Sequence, residues 1–374
     1  MSWDKKKIGE IICENKKSKY KVRDSSNDGL FPFFTSGEKI NRFSEYICEG
    51  ENIFIATGGK ANFKYHFGKA SYSTDCYSIK SNEKVLSKFL YYFLKLNEKK
   101  INDEMFIGAA LKHLQKKEFK NIEIPQPSLP EQKQIVEKLD AAFADIDKAI
   151  SATEKNIENA EALFQSSLIK IFKNPEFKYL ELEKVCNIRG GGTPSKKNKS
   201  FYEGKIPWAT VRDMKNDFIY DTEFKITDDA IKKSSTNLIP GGNVVIATRV
   251  GLGKVSIISF DTAINQDLKG IIPKREGLLD INFLFFWFKS ISKVIIDAGI
   301  GATVQGVKLP FVKSLRIPNI DISLQRKLSS NIKQISEQKE LLVSIYNQKL
   351  NHLTGLKSSL LNQAFSGELT KDVA

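Results

Sequence analysis

Histidine, cysteine and tryptophan are scarce in these 374 residues, which hold three, four and three of them respectively. His66, His113 and His352 lie in unrelated settings and form no HExxH motif, so a helical zinc-hydrolase centre is excluded. Cys13, Cys48, Cys76 and Cys186 are far apart with no CxxC pair. Neither a zinc ribbon nor a disulfide framework fits such spacing, and buried reduced thiols are expected. No GxxxxGK[ST] loop occurs and no two prolines are adjacent, which removes P-loop nucleotide hydrolysis and the (D/N)PP(Y/F) loop of adenine methyltransferases. GLGKVS (251–256) lacks the third glycine of a phosphate cradle and reads as a β-turn. The EFK fragments at 118–120 and 223–225 follow no PD dipeptide, so they do not mark a nuclease metal site. Long apolar runs are missing too: the densest, INFLFFWF (281–288), falls far short of the roughly 20 residues that span a bilayer. MSWDKKK has no apolar segment of the secretory kind. The expectation is a cytoplasmic, non-catalytic protein that binds no metal and no cofactor itself and touches no membrane.

What is abundant is positive charge, a net of +14. Its distribution is uneven. Residues 1–128 hold 23 Lys+Arg against 16 Asp+Glu, and residues 175–320 hold 22 against 15. The segments between and after them, 129–174 and 321–374, hold 6 against 8 and 7 against 5. A genome-wide lysine bias would spread the excess evenly. Two equal basic blocks between near-neutral spacers point to a polyanionic partner met twice.

The blocks repeat one another. Ile124-Pro125 recurs 193 positions later as Ile317-Pro318, with IGAALKH (107–113) and IGATVQG (300–306) at the same remove before them. GENIFIAT (50–57) answers GGNVVIAT (241–248), LFPFFT (30–35) answers KIPWAT (205–210), and FLYYFLK (89–95) answers FLFFWFK (283–289). The order is kept, so the chain is globule, spacer, globule, spacer. The globules read as mixed α/β, with short β-branched strands bounded by glycine; segments near 84–100 and 278–296 read as helix.

Each spacer reads as a long helix. In the first, Leu139, Ala142, Ile146, Ala149, Thr153, Ile157, Ala160, Phe164, Leu168 and Ile171 recur at spacings of three and four, the seam of a coiled coil. Pro130 suits the first turn and Pro175 stops the continuation. In the second, the seam is read as Leu328, Ile332, Ile335, Leu342, Ile345, Leu353, Leu356 and Leu360, with Lys339 and Lys349 on or beside it. About 42 residues make a rod of about 63 Å. The predicted organisation is a first globular domain over 1–128, a helix over 129–174, a second domain over 175–320 and a helix over 321–374. The fold class is α/β, with duplicated mixed α+β domains, two long antiparallel coiled-coil helices and a pseudo-twofold internal repeat.

Loop residues that differ between the copies are the candidates for reading nucleic acid. In RGGGTPSKKNKSFYEGKIPWATVRD (189–213) the glycines would let backbone approach a ligand, and Lys196, Lys197 and Lys199 supply phosphate-directed charge. Thr210 and Arg212 are expected to alternate out of a strand with Trp208 toward base edges. The matched stretch of the first copy, FPFFTSGEKINRF (31–43), offers Thr35, Ser36, Lys39 and Arg42. After the NIFIAT and NVVIAT strands stand Lys60, Asn62, Lys64 and Tyr65 against Arg249 and Lys254. Further on, Thr74 matches Gln266 and Lys112 matches Gln305.

Four features carry a family resemblance over essentially the whole chain: SLPEQKQIVEKLDA (128–141), the half-length repeat, GGTPSKKNKSFYEGKIPWATVRD (191–213) and LLNQAFSGEL (360–369). Together they resemble the specificity (S) subunit of type I restriction–modification systems. The resemblance implies two target recognition domains, each reading one half of a bipartite site in double-stranded DNA. It implies helical spacers that set the gap and dock two modification (M) subunits, with Leu129, Pro130, Gln132, Gln325 and Phe365 as the docking positions. S-adenosyl-methionine would then belong to the M subunits, and ATP with Mg to restriction (R) subunits where these are present. One departure is that the second spacer opens ISLQ in place of LPEQ. The alternative reading is a free-standing bipartite DNA-binding regulator without methyltransferase partners.

Overall fold

The computed structural model describes residues 3–301 and 305–371, so residues 302–304 of the second IGA motif lie outside the described residues. The chain separates into two compact units, Met1–Glu154 with Asn347–Ala374, and Lys155–Tyr346.

In the first unit an antiparallel sheet runs Ile12–Glu14, Cys76–Ser81, Glu51–Ala56, Phe63–Phe67. Its central strand Glu51–Ala56 is buried at every position but the first, because both of its faces are covered. Ile53 and Ile55 meet the helix Ser87–Leu96 in one core, while Phe54 stacks on Phe34 with ring centroids 4.0 Å apart. Phe34 belongs to a second small sheet, Asn41–Phe43, Phe31–Phe34, Ser71–Tyr72, whose last pair is parallel.

The second unit repeats this order. Cys186–Gly190, Leu268–Pro273, Val244–Ala247 and Val255–Ile258 form the main sheet, and Phe224–Ile226, Ile206–Ala209 and Thr262–Ile264 form the small one. It adds Phe218–Ile219 to the first sheet and Asn237–Ile239 to the second. INFLFFWF lies in the helix Ile281–Ser290, where Phe283 to Phe288 are all buried, so this segment is apolar all round because core surrounds it. Among the described residues no helix is long and apolar enough to cross a membrane.

Each globular region is closed by a strand pair made from its two ends. Lys5–Lys7 lies antiparallel to Glu123–Pro125, and Tyr179–Glu181 to Arg316–Pro318. The long helices begin a few residues further on, Leu129–Phe172 and Ile322–Ser366, of 44 and 45 residues. Within each unit they pack antiparallel. In the first, Lys357 pairs with Asp147 and the Lys138 ammonium donates to the Leu369 carbonyl at 2.7 Å. In the second, Lys339 pairs with Glu161 at 3.0 Å.

All ten seam residues read for the first helix are buried or half-buried. The second helix corrects its reading: Ile335, Leu342, Ile345 and Leu356 are exposed. The covered stripe passes instead through Ile332, Ser336, Lys339, Val343, Tyr346, Leu350, Leu353, Lys357, Leu360 and Ala364, a strict alternation of four and three. Apolar residues occupy two stripes of this helix, and the one that packs carries two lysines. Lys339 is 13% exposed and spans Glu161 and Glu340, with its ammonium 5.3 Å from the Phe164 ring.

Gln132 and Gln325 were expected to face partner subunits, and the structure corrects this. Gln132 is fully buried. Its side-chain oxygen accepts from the Leu86 N–H at 2.9 Å, and its amide donates to the carbonyls of Lys84 and Pro127. Gln325 repeats the pattern on the Asp280 N–H and on the carbonyls of Leu278 and Ile320. Each glutamine satisfies three backbone groups at the joint of loop, helix and rod, which leaves nothing to offer outward. Phe365 likewise turns inward, 4.9 Å from the ring of Phe89 and 5.4 Å from that of Phe93. Leu129 and Pro130 are exposed. The two helix starts are capped by different residues: Ser128 Oγ accepts from the Glu131 N–H at 3.4 Å, and Asp321 Oδ1 from the Leu324 N–H at 3.0 Å.

Candidate nucleic-acid interface

In both units the divergent loops gather at one edge of the small sheet. In the first unit the frame is built around Asp75. Its backbone carbonyl accepts from the Thr57 N–H at 3.1 Å, the Thr57 hydroxyl at 2.8 Å and the Ser36 hydroxyl, and its carboxylate accepts from the Ser73 hydroxyl. Gly59 N–H donates to the Lys112 carbonyl at 2.9 Å, which brings the 112–114 segment alongside.

Several expected readers turn out to build this frame. Thr35 is buried and its hydroxyl accepts from the Gly37 N–H. Ser36 spends its hydroxyl on Asp75 and on the Thr57 N–H. The Lys64 ammonium donates to the carbonyls of Thr35 and Gly37, and the Asn62 amide also reaches Gly37. Burial draws the pKa of Lys64 below its ordinary value, opposed by Asp75 and Glu38. Tyr65 stands on the opposite face of its strand, its hydroxyl on Glu51 at 2.7 Å and its ring against Tyr91, because strand neighbours alternate. Lys39, Lys60, Thr74 and Lys112 are exposed at the edge.

The second unit presents a cleft of about 800 Å³ at the corresponding place. Trp208, Tyr202 and Phe224 form its apolar wall, and Lys196, Lys199 and Arg212 line it from the basic loop. Lys197 is exposed beside them. The strand Ile206–Ala209 stops before Arg212, contrary to the expected alternation. Thr210 caps a single turn, Val211–Asp213, by accepting from the Arg212 N–H at 3.2 Å while its hydroxyl donates to Asp213 at 3.0 Å. Thr210 is therefore a cap. The glycines of this loop also serve the chain itself: a Cβ on Gly191 would stand 2.0 Å from the Asn265 carbonyl oxygen, and one on Gly192 2.3 Å from Ser235 Oγ.

Both arginines of this edge hold carboxylates that sequence reasoning passed over. Arg212 Nη1 is 3.6 Å from Glu223, and Arg249 Nη1 is 3.5 Å from Asp267. Gln266 is exposed and accepts from the Thr193 hydroxyl, Lys254 donates to the Met214 carbonyl at 3.4 Å, and Gln305 is exposed. An acid matched to each arginine is the signal that could have found these pairs, since Asp267 follows Gln266 directly. Among the described residues no group of three His, Cys, Asp or Glu is placed to hold a metal. All four cysteines are free, and Cys13 is exposed, unlike the expectation for it. Burial pushes the Cys48 thiol up to about 11 and the Cys186 thiol up to about 12, so neither is a poised nucleophile.

Comparison with known proteins agrees with this layout. The specificity subunit of the type I restriction enzyme EcoR124I/EcoR124II from Escherichia coli is 27% identical over 351 residues, 86% of this chain and 83% of its own length. The EcoDI specificity subunit of the same organism is 24% identical over 411 residues, 99% of this chain and 89% of its own. Among solved structures, a chain from work on complex assembly and conformational transition of the type I R-M system matches with a TM-score of 0.78, at 18% identity, over 98% of both chains. The HsdS subunit from Thermoanaerobacter tengcongensis gives a TM-score of 0.57 at 18% identity, over 98% of this chain and 97% of its own. At such identities the structural likeness concerns the fold. The model of the type I restriction modification DNA specificity domain matches residues 1–159 and 174–351, and the chain belongs to that family.

Proposed function

We propose that this chain is the DNA-recognition subunit of a type I restriction–modification complex. Each globular region reads one half of a bipartite site in double-stranded DNA, and the long helices set the gap between the halves. The observation that carries this is the duplicated edge: one strand order and one set of framework bonds, with different exposed side chains in each copy. Two readers of one design address two different short sequences. Within this reading Lys39, Lys60 and Lys112 in one unit, and Lys196, Lys197, Lys199 and Lys254 in the other, meet phosphates. Thr74, Gln266, Gln305, Arg212 and Arg249 face base edges. Leu129 and Pro130 are the docking positions left open to modification subunits, which supply S-adenosyl-methionine and the methyl transfer to adenine. Restriction subunits, where present, supply ATP-driven translocation and cleavage. The complex works in the cytoplasm, and this chain contributes recognition without chemistry.

Methylome sequencing of the host with and without this gene tests the reading. The expected result is a bipartite adenine motif that disappears with the gene. An unchanged methylome, together with DNA binding by the purified chain alone, would favour the free-standing regulator.

A further inference from the structure

Arg212 and Arg249 both hold carboxylates at this edge, but Asp267 is 16% exposed against 48% for Glu223. Asp267 is locked in place. One carboxylate oxygen accepts from Asn265 Nδ2 at 3.1 Å, its N–H donates to Asn265 Oδ1 at 3.1 Å, and its carbonyl accepts from the Thr248 N–H at 2.8 Å and the Thr248 hydroxyl at 3.2 Å. The other carboxylate oxygen is the one 3.5 Å from Arg249 Nη1. The arginine stem lies over Gly306, where an added Cβ would stand 3.2 Å from Arg249 Cγ. Held at stem and head, the guanidinium is half-exposed. Among the described residues its remaining N–H groups have no partner within the chain.

A guanidinium anchored by a carboxylate on one nitrogen still presents a two-pronged donor edge. A fixed two-donor edge matches the O6 and N7 acceptors that guanine alone shows in the major groove. The same carboxylate offsets the charge that would otherwise favour any phosphate, which separates Arg249 from the unanchored Lys196, Lys197 and Lys199. The first unit supplies an internal control. Asp75 sits in the same frame, with Thr57 and Ser73 in the places of Thr248 and Asn265, yet Gly58 stands where Arg249 would be and His113 where Gly306 would be. We infer that Asp267 is a positioning residue that aims Arg249 at the guanine of a G·C pair in the half-site read by the second unit, a device the first unit lacks.

This inference rests on the DNA-recognition reading, and the experiment separates the two. The methylated motif is compared for hosts carrying the native gene, Arg249→Gln and Asp267→Asn. The expected result is that both variants relax one and the same G·C pair in one half-site, with discrimination there falling about ten- to a hundredfold and the other half unchanged. Relaxation at an A·T pair, equal loosening of both halves, or an Asp267→Asn motif identical to the native one would overturn it. Should Asp267→Asn fail to accumulate, Gly306→Ala displaces the arginine stem instead, and the same pair must relax. A methylome indifferent to loss of the whole gene would overturn the recognition reading itself.

Discussion

The two edges of divergent loops share their hidden atoms and differ in their visible ones. Thr57 on Asp75 and Thr248 on Asp267 make the same bonds, and Gln132 and Gln325 grip the same three backbone positions. On the surface the first edge shows lysines that are either exposed, as Lys39, Lys60 and Lys112 are, or tied to carbonyls, as Lys64 is. The second shows arginines tied to acids beside an aromatic cleft. A duplicated protein can change what it recognises only where its scaffold does not depend on the side chain. The shared and divergent positions of this chain divide along that line.

The comparison is broken most forcefully at the shared glutamines. Gln132→Ala and Gln325→Ala each remove the partner of one N–H and two carbonyls at a largely covered joint, and each should cost about 1–3 kcal/mol in denaturant unfolding. A large loss for one and none for the other would mean that the joints are not equivalent. Next come the glycines of the second edge. Gly191→Ala must push a Cβ into the Asn265 carbonyl and should cost about 1–3 kcal/mol. Gly190→Ala, whose new Cβ would meet nothing closer than 3.8 Å, should leave the melting temperature within a degree or so of native. Smaller still is the transplant Gly58→Arg. An added Cβ there comes no nearer than 3.7 Å to His113, so the side chain is admitted beside Asp75. A preference for a G·C pair of about 1 kcal/mol should appear in the half-site of the first unit, read from the methylated motif. The smallest change is Lys339→Met, which exchanges a nearly covered ammonium and its two carboxylate contacts for apolar packing on Phe164. Thermal unfolding should shift by less than about 1 kcal/mol in either direction.

Much of the architecture was written in patterns a sequence displays. The repeat reported the duplicated strand order because inward-facing side chains of both copies fill the same space. The first seam was legible because its residues form a single apolar stripe. The second seam was not, because Ile335, Leu342 and Ile345 form a rival stripe at the same spacing, while the covered one runs through Ser336, Lys339 and Lys357. Periodicity locates a helix face, but only the neighbouring helix decides which of two stripes it covers. The reading edge was half legible for a related reason. Thr35, Ser36, Lys64 and Thr210 are the residue types that contact nucleic acid, and the same donors and acceptors also close turns. For Ser36 and Lys64 the use is decided by carbonyls that distant segments bring close, and for Thr35 and Thr210 by backbone and side-chain groups two or three residues away. Gln132 showed this most plainly, since a polar residue repeated at a helix start suggests a partner, whereas its partners are Leu86, Lys84 and Pro127.

The short closing strands carry a consequence for how such a protein can change. Lys5 lies opposite Pro125, and Tyr179 opposite Pro318, so the chain enters and leaves each globular region about 5 Å apart. Whatever happens between those ends, whether a loop lengthens or a strand is added as in the second unit, the ends stay the width of one strand pair apart, and in the second region those ends lead directly from one long helix to the other. The helices are thereby insulated from the reading loops. On the proposed reading, a mutation that rewrites the recognised bases would leave the spacing between half-sites untouched, and a helix could be lengthened without retuning a contact to a base.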